Sequence, residues 1–325
     1  MTPNYDKMTI LRIAKYYYLD ELSQQEISAK ENIHRSQISR ILKLARELGY
    51  VQIRISGPES CSAEALAVKV KEKTGLQEVY VAPSLTSRAN QEDSLHFFAA
   101  RYLEELLSHS KNIGIGQGKT LYHVASQLAA QRLEDRPDFF SVAGSSGTDN
   151  PYLQASVILD NFSRPFNGYC HYNIFPICMD RGRMSPLEMS RYRELQEAYQ
   201  TLDTVVLSIG GPFNIEYPYL EEFSLVERGF DIDKALKRPH GNLLGHVFYD
   251  GNECLQLPDD YFITSMSLSL LVKTPNVICI ACGKEKVAPI ISASRQKYIK
   301  TLITDEVTAR NILHDIEITA NTNLH

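Results

Sequence analysis

The chain has 325 residues, 43% apolar and 22% charged, with a formal net charge of −5. That length and apolar content allow two domains and a sizeable buried core, with a charged fraction ordinary for a globular protein. No run of about 18 apolar residues is present, and Asp6, Lys7, Arg12 and Asp20 interrupt the first apolar positions; these features exclude a spanning helix and a secretory signal, so the chain is expected to be cytoplasmic.

The charge is unevenly divided. Residues 1–54 hold nine Lys/Arg against six Asp/Glu, net +3, while the remainder holds 25 against 33, net −8. A basic head on an acidic body suits a nucleic-acid reader attached to a sensing domain. The periodicity of residues 9–19 puts Ile10, Ile13, Ala14 and Tyr17 on one helical face. Ser23-Gln24-Gln25-Glu26 is a capping box that opens a second short helix, with Ile27 inward. Asn32 then stands where a sharp turn needs a left-handed residue. A third helix is expected from Ser36 to Leu48, with Ile38, Ile41 and Leu42 inward and Gly49 at its end.

The outward set on that third helix is Arg35, Ser36, Gln37, Ser39, Arg40 and Lys43, and Gln24 joins it from the start of the preceding helix. Gln and Arg side chains suit base edges, and Ser and Lys suit phosphates, so these seven residues are the candidate DNA contacts. The alternating stretch Tyr50–Ile55 reads as a wing or linker strand. The segment LSQQEISAKENIHRSQISRILKLARELGYVQIRI resembles the DNA-binding region of the SorC/DeoR-type sugar-binding transcriptional regulators, with Ser28 and Asn32 standing where Ala and Gly are common.

Gly57-Pro58-Glu59-Ser60 breaks the pattern and reads as a hinge. The expected organisation is a helix-turn-helix domain over 1–56, a linker or oligomerisation helix over 57–75, and an effector domain over 76–325. In the last, strand candidates lie at 78–82, 111–116, 138–143, 170–177, 204–209, 244–249, 276–281 and 301–304. Helices are expected at 91–109, 119–131, 151–162, 186–200, 284–296 and 305–314. Strands alternating with helices imply a mostly parallel sheet covered on both faces: a large Rossmann-like α/β domain.

Ligands of such sheets bind beyond the carboxyl ends of the strands. The turns expected there are Gly114–Thr120, Ala143–Thr148, Gly241–His246, Gly283–Lys286 and Thr304–Glu306. The first approaches a P-loop, but its glycine spacing is one residue short, which excludes a nucleoside triphosphatase of that type. Cys279 and Cys282 form a C-x-x-C without a second pair or flanking histidines, so neither a zinc site nor a cofactor is expected. Several polar turns in one α/β domain fit a polyol or phosphosugar pocket.

The resemblance extends over these turns. IGIGQGKTL is similar to the family's G-x-G-x-G-x-T-L turn, HGNLLGHVFYDGNE to its G-x-x-G-[DE]-x-x-G-x-F motif, and PNVICIACGKEKVAPIISA and LITDEVTARNIL to its C-terminal motifs. It implies a phosphosugar-isomerase-like effector domain with Gly116, Gly118, Lys119, Thr120, Ser145, Ser146, Asn242 and Lys286 as effector contacts, and a homotetramer. Asn242 replaces an acidic residue, and the 143–147 turn lacks a lysine or arginine. Both departures favour an unphosphorylated sugar or polyol, or a monophosphate, over a bisphosphate. The functional expectation is a regulator of a carbohydrate-utilisation operon binding double-stranded operator DNA, whether as repressor or activator. The alternative is an enzyme related to phosphosugar isomerases and deaminases.

Overall fold

A computed structural model describes residues 5–48, 50–51, 58–83, 91–131, 133–145, 150, 154–211, 241–251 and 253–322. The chain divides into two compact units, Met1–Gly57 and Pro58–His325.

In the smaller unit, α1 (Lys7–Tyr18) begins at Asp6, whose carboxylate accepts the Thr9 N–H. The second helix, α2 (Gln24–Glu31), opens with both halves of the Ser23–Glu26 capping box. It ends at Asn32, left-handed at φ 54 and ψ 38, as the turn requires. The third, α3 (Arg35–Glu47), crosses both. Ile10, Ile13, Ala14, Ile27, Ile38, Ile41, Leu42 and Ala45 close a small core between the three helices. Ser28 Oγ donates to the Ile33 carbonyl at 2.7 Å, and the Arg12 guanidinium grips Glu31 at 2.8 and 3.0 Å, so α2 and the turn are tied on both sides. Of the expected wing, Tyr50 and Val51 are described, without strand structure, and 52–55 lie outside the described residues.

The larger unit opens with α4 (Pro58–Thr74), which packs on the first strand and on the C-terminal helix. Ala63, Leu66 and Val70 enter the core there, so the helix expected over 57–75 as a linker or oligomerisation helix packs as a layer of the α/β unit. Among the described residues, seven strands make one sheet: β1 (Glu78–Ala82), β2 (Asn112–Ile115), β3 (Asp138–Ser141), β4 (Tyr169–His171), β6 (Thr204–Leu207), β10 (Asn276–Ile280) and β11 (Thr301–Asp305). Their order is β1-β11-β10-β6-β2-β3-β4, and every pairing is parallel.

A parallel sheet is buried on both faces, and its side chains alternate between two cores. Val205, Leu207, Val277, Cys279 and Leu302 face one, with α4, α8 (Pro186–Tyr199), the Val287–Arg295 helix and the C-terminal Glu306–Thr322 helix. Val206, Ile278, Ile280 and Ile303 face the other, with α5 (Gln91–Leu107), α6 (Lys119–Ser126) and α7 (Ala155–Ser163).

Three departures from the expected elements have physical causes. The 244–249 strand is a hairpin of β7 (Gly241–Leu243) and β8 (His246–Phe248), turned by Leu244 at φ 55 and Gly245 at φ 88. The 170–177 strand stops at His171. Beyond it, β5 (Cys178–Asp180) pairs antiparallel with β9 (Tyr261–Ile263), two strands too short to show a period. A helix of six residues, Leu268–Lys273, starts where Ser267 caps it.

Gly144 lies at the carboxyl end of β3 with no room for a side chain: an added Cβ would sit 2.5 Å from Thr264 Oγ1 and 2.6 Å from the Ile177 Cα. Gly144→Ala is expected to lower the stability of the larger unit by about 1–3 kcal/mol, the usual range for overpacking, read as a lower urea midpoint at unchanged slope.

Candidate functional site

On α3, Arg35, Ser36, Ser39, Arg40 and Lys43 are exposed and Gln37 is half-buried, while Ile38, Ile41 and Leu42 point inward. The expected polar face is therefore presented on one side of the helix. Gln24 is half-buried at the first position of α2. His34, which precedes the expected set, is the N-cap of α3, and its Nδ1 accepts the Ser36 N–H at 3.3 Å. Sequence reading missed it because histidine is not among the usual capping residues.

In the larger unit, the chain leaves β2 toward β3 and β4 on one side, and leaves β6 toward β10 and β11 on the other. The crevice between β2 and β6 is the switch point where open α/β sheets bind ligands. After β2 come buried Gly116, then Gln117 and Gly118, and α6 begins at Lys119. Gly118 has φ 127 and ψ 158, and no side chain caps the helix behind it. Gly283 after β10 repeats this arrangement: φ 114, ψ 147 and no side-chain cap before the short Lys284–Lys286 turn. Both turns lie at the carboxyl edge of the sheet, and at the second the Gly283 N–H donates to Thr308 Oγ1 at 2.9 Å.

Close contacts join these turns. A Cβ on Gly118 would lie 2.8 Å from Ser208 Oγ, and that hydroxyl donates to the Gln117 carbonyl at 3.1 Å. Gly210 exchanges two backbone bonds with Asn242, at 2.8 and 3.1 Å. A Cβ on Gly211 would meet the Glu285 carbonyl at 2.6 Å. The turns after β2, β6 and β10 and the β7–β8 hairpin thus form one locus that brings Gly116, Gly118, Asn242 and Lys286 together. Lys119 is exposed and Thr120 half-buried at the same helix start.

Asn242 Oδ1 accepts the Gly245 N–H at 3.0 Å, so that oxygen is engaged in holding the hairpin turn. Ser145 is exposed, its backbone paired with Phe175 and Ile177 beyond β3. Ile177, bonded to Ser145 through the backbone, packs beside Gly245 of the hairpin. Ser146 lies outside the described residues.

Burial lowers the Lys286 pKa, and neighbouring Glu285 opposes that shift. Burial pushes the Cys279 and Cys282 thiols up to about 12, which keeps both protonated near neutrality. Sequence reading missed Ser208, which belongs to the turn after β6. The Gly210–Gly211 pair after an apolar run was the available signal for it. Within the expected turns, Gln117 Oε1 and Thr304 Oγ1 are buried without a hydrogen-bond partner among the described residues.

These two constellations, a capped helix-turn-helix with a polar outer face and a parallel α/β unit with uncapped turns at its switch point, define a two-part ligand-sensing transcriptional regulator. The Sugar-bind family model, a sugar-binding domain, matches residues 60–314, and the chain belongs to this family, as a regulator of the SorC/DeoR type. It is 27% identical over 314 residues to the deoxyribonucleoside regulator of Bacillus subtilis, covering 94% of this chain and 97% of that one. It is 26% identical over 317 residues to the sorbitol operon regulator of Klebsiella pneumoniae, covering 95% and 98%. The crystal structure of that full-length regulator shares the fold, with a TM-score of 0.74 at 23% identity over 95% of this chain and 100% of that one.

His246 lies on the hairpin across from Leu243, its Nε2 3.1 Å from the Met266 carbonyl, and burial lowers its pKa from 6.5 to about 4. The folded protein therefore resists a proton that the unfolded chain takes up below pH 6.5. The resulting loss of stability begins as pH falls through 6.5 and stops growing near pH 4. His246→Gln is expected to reduce the slope of stability against pH in that window by about one proton, measured by urea unfolding at a series of pH values.

Proposed function

We propose that this protein binds operator DNA through α3 and controls a carbohydrate-utilisation operon in response to a sugar, polyol or phosphosugar held at the carboxyl edge of its parallel sheet. The observation that carries this reading is the conjunction, in one chain, of a helix-turn-helix with a polar outer face and the cluster of uncapped Gly118 and Gly283 turns at the switch point. Both relatives named above are matched over nearly their whole lengths.

In this reading Arg35, Gln37 and Arg40 meet base edges, while Ser36, Ser39, Lys43 and Gln24 anchor the sugar–phosphate backbone. Gly116, Gly118, Lys119 and Thr120 present amides and one cation to an anionic or hydroxyl group, in the manner of a helix N-terminus. Lys286 supplies a second cation, Asn242 its amide, and Ser145 and Ser146 hydroxyls from the turn after β3. The unsatisfied Gln117 Oε1 supports a ligand rich in hydroxyl donors. With Lys119 and Lys286 as the two cations, the site suits a neutral sugar, a polyol or a monophosphate better than a bisphosphate.

Ligand binding changes DNA affinity only by as much as the ligand distinguishes two states of the protein. The protein acts in the cytoplasm as a homotetramer, with paired reading heads set on adjacent half-sites. A stable monomer in sedimentation at micromolar concentration contradicts that assembly.

The deciding experiment is fluorescence anisotropy on DNA from upstream of the protein's own operon, repeated at two salt concentrations and across sugars, polyols and their phosphates. Tight, salt-sensitive binding shifted by one compound is expected; absence of binding to any duplex sinks the reading. Arg40→Ala is expected to weaken DNA binding roughly tenfold and leave ligand affinity intact. Lys286→Ala is expected to do the reverse. Loss of both affinities in either variant contradicts separate reading and sensing units.

A further inference from the structure

The turn between β2 and α6 hinges on one peptide, Gln117–Gly118. Its carbonyl accepts the Ser208 hydroxyl, which reaches over from the end of β6 at 3.1 Å. None of the described peptides is cis, so here the C=O and N–H point in opposite directions. The Gly118 N–H therefore lies on the side away from Ser208. Among the described residues it donates to nothing, and neither do the Lys119, Thr120 and Leu121 N–H groups that follow. All four donors that a helix start leaves over are open.

Keeping that peptide in place is not automatic. Rotation about its two flanking bonds would exchange the carbonyl and the N–H, and glycine at 118 tolerates backbone angles that would block the exchange in other residues. A flipped carbonyl would set its negative end beside the open amides and repel an anion. The bond from Ser208 opposes that flip. The fit is close: a Cβ on Gly118 would lie 2.8 Å from Ser208 Oγ, so the hydroxyl fills the space where a side chain at 118 would begin. Gln117 Oε1 is buried in the same turn without a partner among the described residues. Open backbone donors beside an open side-chain acceptor suit an oxyanion flanked by a hydroxyl, as in a sugar or polyol monophosphate.

We infer that Ser208 is a positioning residue for effector binding: its hydroxyl locks the Gln117–Gly118 peptide so that the Gly118 N–H joins the open amides of α6 in receiving an oxyanion. Ser208 acts through the peptide and does not touch the ligand. The inference rests on the ligand-sensing function proposed above, and it fails separately from that reading.

The sequence contains Gln-Gly only once, at 117–118. Labelling the full-length chain with carbonyl-13C glutamine and 15N glycine therefore gives a single carbonyl–amide correlation in the NMR spectrum, and it reports this peptide alone. Inorganic phosphate is the probe. In the wild type, phosphate is expected to move the peak to saturation. In Ser208→Ala the carbonyl carbon is expected upfield before phosphate is added, because it has lost its donor, and phosphate is expected to bind about five- to tenfold more weakly. Ser208→Thr keeps the hydroxyl and is expected to keep the wild-type peak and affinity. An unchanged affinity in Ser208→Ala overturns the positioning role. So does a weakened affinity with the ligand-free peak in its wild-type place, which would make Ser208 a direct contact. Loss of both peak position and affinity in Ser208→Thr also overturns it. A wild-type peak that phosphate does not move overturns oxyanion recognition at this turn. The wider reading then stands if the sugars and polyols of the DNA-binding panel still shift affinity for DNA, and falls with the inference if none does.

Discussion

The parallel pairing of β6 between β2 and β10 holds the larger unit in register, and Asp203 is where it is fastened. Its carboxylate accepts the Lys111 and Asn112 N–H groups at 2.8 and 3.0 Å, its own N–H donates to the Asn112 carbonyl, and its carbonyl accepts the Asn276 N–H. One residue thus sets the amino ends of three neighbouring strands level. Strands that start level and run parallel also end level, and this brings the turns after β2, β6 and β10 to one edge. Val205, Val206 and Leu207 then alternate between two dry cores, which fixes β6 against slipping by one residue, since such a slip would exchange its two faces.

This arrangement delivers glycine turns to the carboxyl edge of the sheet. Gly118 and Gly283 hold backbone angles that side chains rarely adopt, and neighbouring polar atoms crowd the place where a side chain would begin. Lysine is the exception: Lys286 is carried into a setting where burial weakens its charge, so an anionic or strongly accepting ligand there would restore what desolvation removes. Asn242 shows the opposite economy, with its oxygen held by its own turn.

The smaller unit relies on caps more than on mass. Its core is eight buried side chains, and three helix starts are each closed by a side chain: Asp6, Ser23 and His34. Small units bury a low fraction of their surface, so caps of this kind carry a larger share of their stability.

The sequence by itself determined the three-helix head, its left-handed Asn32, the polar face of α3 and the alternation of strands and helices behind it. Those features are local: a period, a cap or a glycine is written within a few neighbouring residues. It also placed glycine turns at Gly116–Gly118 and Gly283 after β2 and β10, since glycine after an apolar run is a local signature too. Only the tertiary structure decided that α4 is a layer of the α/β unit, that 244–249 is a hairpin, and that β5 finds β9 some 80 positions later in the chain. The same holds for the commitments of single polar atoms: Asn242 oxygen to Gly245, Ser208 hydroxyl to Gln117. A side chain's chemistry is written in its letter, but which of its donors and acceptors remain for a ligand depends on neighbours that folding supplies.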